Sequence, residues 1–116
     1  MNTDAWTGEA RTKVAKRLLD SGLPDAVFAG NDDIALGLCH ELLAAGIRIP
    51  DDVAVIGFDD IPLARWMTPS LSSITQDFDV LGRASLRLSD ELVGGGPPRS
   101  ISLEPRLAVR ASTAGA

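Results

Sequence analysis

The chain has 116 residues, 45% of them hydrophobic, with a formal net charge of −5 and a pI near 4.6. It is one domain or a piece of a larger one, apolar enough for a packed core and too acidic to grip nucleic acid through its phosphates. A single cysteine, Cys39, excludes an internal disulfide framework and a Cys-based zinc cluster, and no apolar run approaches the roughly 20 residues that span a bilayer.

The first residues, Met1-Asn2-Thr3-Asp4-Ala5, are polar and carry no signal-peptide core, which together with the cysteine count reads as cytoplasmic. From Gly8 to Ser21 the apolar residues Ala10, Val14, Ala15, Leu18 and Leu19 follow helical spacing, with Arg11, Lys13, Lys16 and Arg17 opposite. Gly22 and Pro24 supply a stop. Ala26-Val27-Phe28-Ala29 is short and apolar and reads as a buried strand. Asn31 suits the cap of the next helix, and Asp32 and Asp33 suit its first turn, where free N–H groups and the helix dipole favour carboxylates. Ile34, Leu38 and Leu42 form that helix's stripe, and Gly46 ends it.

Val53-Ala54-Val55-Ile56-Gly57-Phe58-Asp59-Asp60 is the centre of the pattern. A run without polar alternation has apolar neighbours on both faces, as in a central parallel strand covered by helices on each side. Ligands of open α/β sheets bind beyond the carboxyl ends of such strands, so Asp59 and Asp60 fall where a pocket is expected. Residues 61–70 form a connection with Pro62 and Pro69 near its ends, barring regular structure, and Trp66 and Met67 inside. Leu71 to Thr75 reads as a short strand and residues 77–92 as a helix. Gly94-Gly95-Gly96-Pro97-Pro98 breaks the chain. Ile101-Ser102-Leu103 and Leu107-Ala108-Val109 alternate as strand segments around Pro105, and the small terminal residues are expected to fray. Strands alternating with helices give an α/β fold with a mostly parallel sheet and helices on both faces.

Catalysis finds little support. Cys39 and His40 are adjacent on a helix and point apart, so they form no dyad. No phosphate-cradling glycine loop is present. Of the pairs Asp32-Asp33, Asp51-Asp52 and Asp59-Asp60, only the last lies at a pocket position, and no third metal ligand accompanies it. No catalytic residue, metal or cofactor is therefore expected.

The motifs are specific. Gly30-Asn31-Asp32-Asp33-Ile34-Ala35-Leu36-Gly37, Gly46-Ile47-Arg48-Ile49-Pro50-Asp51-Asp52-Val53, Ile56-Gly57-Phe58-Asp59-Asp60, Thr68-Pro69-Ser70-Leu71-Ser72-Ser73-Ile74, Gln76-Asp77-Phe78 and Leu81-Gly82 follow in order. Pro105 to Thr113 closes the series. This succession resembles the LacI/GalR family of bacterial transcriptional regulators over nearly the whole chain. It departs at Gly30 (usually Ala), Ser70 (often a second Pro) and Arg11 (often Gly).

The resemblance implies a periplasmic-binding-protein-like, two-lobe effector domain of type I, as in the periplasmic sugar-binding proteins. Residues 1–75 correspond to part of the C-terminal lobe, 76–98 to a helix crossing to the N-terminal lobe, and 99–112 to a returning strand. The family's helix-turn-helix head has no counterpart in these 116 residues. The resemblance also implies a small polar effector, sugar or purine-like, contacted by Asn31, Asp59, Trp6 and Phe78. It implies a homodimer through Leu36, His40, Trp66 and Met67, DNA contact only through a head outside this chain, and no membrane partner. The competing readings are a transporter's solute-binding protein and a metal-dependent α/β enzyme built on Asp59 and Asp60.

Overall fold

The computed structural model describes residues 8–114. Its elements run α1 (Gly8–Ser21), β1 (Ala26–Phe28), α2 (Asp32–Ala44), β2 (Ala54–Asp59), a 3-10 helix (Pro62–Trp66), β3 (Ser72–Thr75), α3 (Phe78–Val93), β4 (Arg106–Ala108) and α4 (Ala111–Ala114). The sheet order is β1-β2-β3-β4. β1 and β3 both lie parallel to β2, with Val27 opposite Val55 and Gly57 opposite Ser73. The chain divides into two compact units, Gln76–Arg106 and the remainder.

In the larger unit, β2 is the centre of the core. Val53, Val55, Ala29, Leu71, Leu38 and Leu42 are buried together with Ala15 and Ala35. Successive strand residues face opposite sides, and two neighbouring serines of β3 mark those sides. Ser73 reaches Asp32 at the start of α2, whereas Ser72 reaches Arg110 and Thr113 around α4. The sheet therefore has helices on both faces, α2 on one and the short α4 on the other. Val14 and Leu18 of α1 pack against the same core.

Four expectations need correction. Ala26–Phe28 pairs as β1, yet it is not a buried strand: Ala26 and Phe28 are exposed and only Ala29 after it is buried. Pro62 does not bar regular structure; it opens the 3-10 helix, where a missing N–H costs nothing. Ile101-Ser102-Leu103 is not a strand, and only Arg106–Ala108 pairs into the sheet. Residues 111–114 are not frayed: they form α4, and Ser112 is fully buried. The Ser112 hydroxyl donates to the Val55 carbonyl at 2.6 Å and accepts the Ser72 N–H at 2.8 Å, bridging β2 and β3.

The smaller unit holds α3. Asp77 caps it by accepting the Val80 N–H at 3.0 Å. Beyond its end, Arg99 forms a two-pronged ion pair with Glu91, both contacts 2.7 Å. No residue of α3 is buried.

Candidate functional site

The carboxyl ends of β1 and β2 gather the residues of interest in the larger unit. Asn31 follows β1 and caps α2, its side-chain oxygen accepting the Ile34 N–H at 2.8 Å. Capping engages only the oxygen, so the amide's own N–H groups are not spent on it. Asp59 ends β2, with Thr75 of β3 as its register partner. Phe28 and Phe58 stand at the same end, edge to face with ring centroids 6.5 Å apart.

The backbone at this edge is unusual. Asp59 has φ of 102° and Asp60 φ of 52°. Positive φ in a non-glycine residue is held only where the surroundings over-determine it, and such residues cluster at binding sites. The surroundings are identifiable. Asp32, fully buried, accepts the Ser73 hydroxyl at 2.6 Å and the Ile61 N–H at 2.8 Å. The Ser73 oxygen in turn accepts the Asp60 N–H at 3.0 Å. The Asp60 carboxylate forms an ion pair with Arg110 at 2.7 Å, the two side chains being 13% and 17% exposed. Arg110 also donates to the Leu71 carbonyl at 2.7 Å. Gly57 makes the arrangement possible: a Cβ there would stand 2.1 Å from the Asp32 carboxylate.

The two members of Asp59-Asp60 thus have different work. Asp60 is committed to Arg110, while Asp59 stays half-exposed at the strand end. Asp32 is structural, as its place in the first turn of α2 suggests. Phe78 belongs to the smaller unit and is exposed. Trp6 lies outside the described residues. Among the described residues no group of three or more His, Cys, Asp or Glu could hold a metal, and no helix is long and apolar enough to cross a membrane.

Leu36, His40 and Met67 come together on another face. With Cys39, Leu43 and Thr68 they line a depression of about 160 Å³. Beside it Leu36 and His40 share a wider hollow with Arg11, Gly37 and Glu41. Trp66 stands next to Met67 and is 77% exposed; Leu63 is half-exposed. The Cys39 thiol is buried, which pushes its pKa up to about 11. It is a packing group rather than a nucleophile.

The family profile of the periplasmic binding protein-like domain matches residues 1–113. A repressor called PurR from Escherichia coli O1:K1 / APEC is 40% identical over 99 residues, which is 84% of this chain and 29% of that protein. The chain belongs to the LacI/GalR family of transcriptional regulators. The ribose operon repressor of Escherichia coli K12 is 49% identical over 63 residues, 54% of this chain and 19% of that protein. A LacI-family regulator of Sanguibacter keddieii superposes with a TM-score of 0.85 at 37% identity, covering 97% of this chain and 44% of that one. The regulator CelR, solved as a cellobiose complex, gives 0.82 at 34% identity, covering 97% and 37%. This LacI/GalR chain therefore spans less than half the length of these relatives, as part of their effector domain. The curated relatives are repressors rather than enzymes.

Sequence reasoning missed Ser73, Arg110 and Ser112 as a framework. Arg110 and Ser112 sit in a family motif, but their partners Ser72, Leu71 and Val55 lie 38 to 57 residues away along the chain and meet them only in the folded state.

Proposed function

We propose that this chain is the ligand-sensing and dimerisation part of a LacI/GalR-type regulator. A small polar effector of the sugar or nucleobase class binds beyond the carboxyl end of the sheet, with Asp59 and the Asn31 amide as its polar contacts. Trp6 and Phe78 supply apolar walls. Residues 1–75 belong to the C-terminal lobe, 76–98 cross to the N-terminal lobe, and 99–112 return. The effector binds one lobe arrangement better than another, and that difference in affinity alters DNA binding by a head outside these residues. Two copies associate through Leu36, His40, Trp66 and Met67, where the 77% exposed Trp66 beside the partly exposed Leu36 and Met67 offers apolar surface of the kind that interfaces bury. The protein works in the cytoplasm and carries no cofactor.

The observation that carries this reading is Asp59, a carboxylate held at φ of 102° where β2 ends. Relatives solved with lactose and cellobiose support the ligand class, and a relative described as the dimeric Lac repressor supports the assembly. Isothermal titration with D-ribose, lactose, cellobiose and a purine base tests it. Asp59→Asn keeps the shape and tolerates the same backbone, so it removes charge alone. A charge-assisted hydrogen bond is worth about 1.5–3 kcal/mol, so affinity for the bound compound should fall roughly 10- to 100-fold. Unchanged affinity would remove Asp59 from the site. Sedimentation of Trp66→Arg should give a monomer where the parent chain is a dimer, and two identical profiles would refute the interface.

A further inference from the structure

We propose that Arg110 and the Ser73–Asp32 pair are positioning residues that hold Asp59 in its ligand-binding conformation by clamping Asp60 from two sides. The inference rests on the reading of Asp59 as the effector's carboxylate, and extends it to residues that touch no ligand themselves.

The clamp has a main-chain half and a side-chain half. On the main chain, the two N–H groups that follow Asp59 are both taken. The Asp60 N–H goes to the Ser73 hydroxyl and the Ile61 N–H to Asp32. The Ser73 hydroxyl donates onward to Asp32, so the two acceptors are tied to each other. On the side chain, the Asp60 carboxylate meets the Arg110 guanidinium at 2.7 Å. Arg110 is anchored independently of Asp60. Its Nη1 donates to the Leu71 carbonyl and its main-chain N–H to the Ser72 hydroxyl, each at 2.7 Å. Residue 60 is thus fixed at its N–H by β3 and α2 and at its carboxylate by the segment between β4 and α4.

Asp59 sits between this clamp and the β2–β3 ladder, where Thr75 is its partner. Positive φ at both residues 59 and 60 is what connects the two fixed points. Left alone, L residues leave that region. Releasing Asp60 therefore lets Asp59 relax and move its carboxylate, without any change at Asp59 itself. A shift of this kind acts on binding through geometry, since a charge-assisted contact depends on direction as well as distance.

The test is amide NMR on the full 116-residue chain, with Arg110→Met, Arg110→Lys and, as a control on an exposed ion pair, Arg48→Met. Arg110→Met should speed hydrogen exchange at the Asp60 and Ile61 amides at least tenfold while Val55 is unchanged. It should also move the HN–Hα coupling of Asp59 toward the extended value. Arg110→Lys should restore most of both, and Arg48→Met should alter neither. If Arg110→Met does not fold, Asp60→Asn breaks the same pair from the other side and should give the same pattern. In titrations with D-ribose, lactose and cellobiose, Arg110→Met should weaken binding at least fivefold in the parent chain and by less than twofold in Asp59→Asn. Native exchange and coupling at residues 59–61 in Arg110→Met, or an affinity loss as large in Asp59→Asn as in the parent, overturns the proposal. Should no sugar bind the parent chain, the functional reading suffers, and exchange and coupling still decide the clamp.

Discussion

Gly57→Ala is the sharpest perturbation the structure offers. A Cβ at this position would lie 2.1 Å from Asp32 Oδ1 and 3.0 Å from Leu71 Cδ2. The neighbour that must give is not a flexible tip. It is a fully buried carboxylate that holds two donors, the Ser73 hydroxyl and the Ile61 N–H. Moving it by the ångström or so required breaks or bends both bonds, at about 1.5–3 kcal/mol each for a charged acceptor. Overpacking against Leu71 adds about 1–3 kcal/mol, and the lower chain entropy of Ala offsets about 0.4–1 kcal/mol. A net loss of about 3–8 kcal/mol is large against a total of about 6–17 kcal/mol for a chain this long. Urea unfolding followed by circular dichroism measures it. With m of about 1–3 kcal/mol/M, the midpoint should fall by at least about 1 M, or the folded baseline should vanish. Asp32→Ser supplies the decisive comparison, because it shortens the side chain that the Cβ meets. In that background only the Leu71 contact remains, and Gly57→Ala should cost less than about 2.5 kcal/mol. Additive losses within about 0.5 kcal/mol would show that the two residues do not collide, and the reasoning would fail.

Ser112→Ala leaves the Val55 carbonyl and the Ser72 N–H buried without their shared hydroxyl; a loss of about 2–4 kcal/mol in urea unfolding is expected, and a change under about 0.5 kcal/mol would deny the bridge. Cys39, with its pKa near 11 against an ordinary 9.0, should have about 100-fold less thiolate at neutral pH, so a thiol reagent should label it in native buffer only as fast as the chain opens, and in denaturant at once. The Arg48 guanidinium and N–H hold the Asp52 carboxyl below its ordinary 3.8. A depressed carboxyl stabilises the fold above its unfolded pKa and loses that contribution as pH falls through the folded one. The melting gap between the parent and Arg48→Met should therefore close as pH drops below about 3.8, and a gap that widens in acid would refute the assignment.

Local signals were legible where one stretch carries its own reason. The bounds of α1 follow from helical spacing and Gly22, the cap of α2 from Asn31, and the central strand from an apolar run that no solvent-facing strand could carry. The resemblance to LacI/GalR regulators was equally plain, because its motifs keep their order along the chain. What the sequence hid were bonds between residues far apart. Asp32 reads correctly as a first-turn carboxylate, yet nothing nearby says that it holds Ser73 and Ile61. Ser112 reads as one of several small terminal residues, and only its place between two strands makes it central. Ile101 to Leu103 alternates like a strand, but alternation describes a face and not a partner, so pairing begins only at Arg106.

These hidden bonds also explain why two identical side chains in sequence become different groups. Asp59 and Asp60 have the same chemistry and the same local context. Strand alternation would merely turn them to opposite sides. The difference comes from β3 and from the segment that follows β4: Ser73 takes one N–H, and Arg110 takes one carboxylate. The Arg110 guanidinium lies 2.7 Å from the Asp60 carboxylate and holds that side chain in place. Arg110 thus acts on its neighbour through geometry: Arg110→Met should disturb that geometry, whereas Arg110→Lys, which keeps a cationic donor for the Asp60 carboxylate, should largely preserve it.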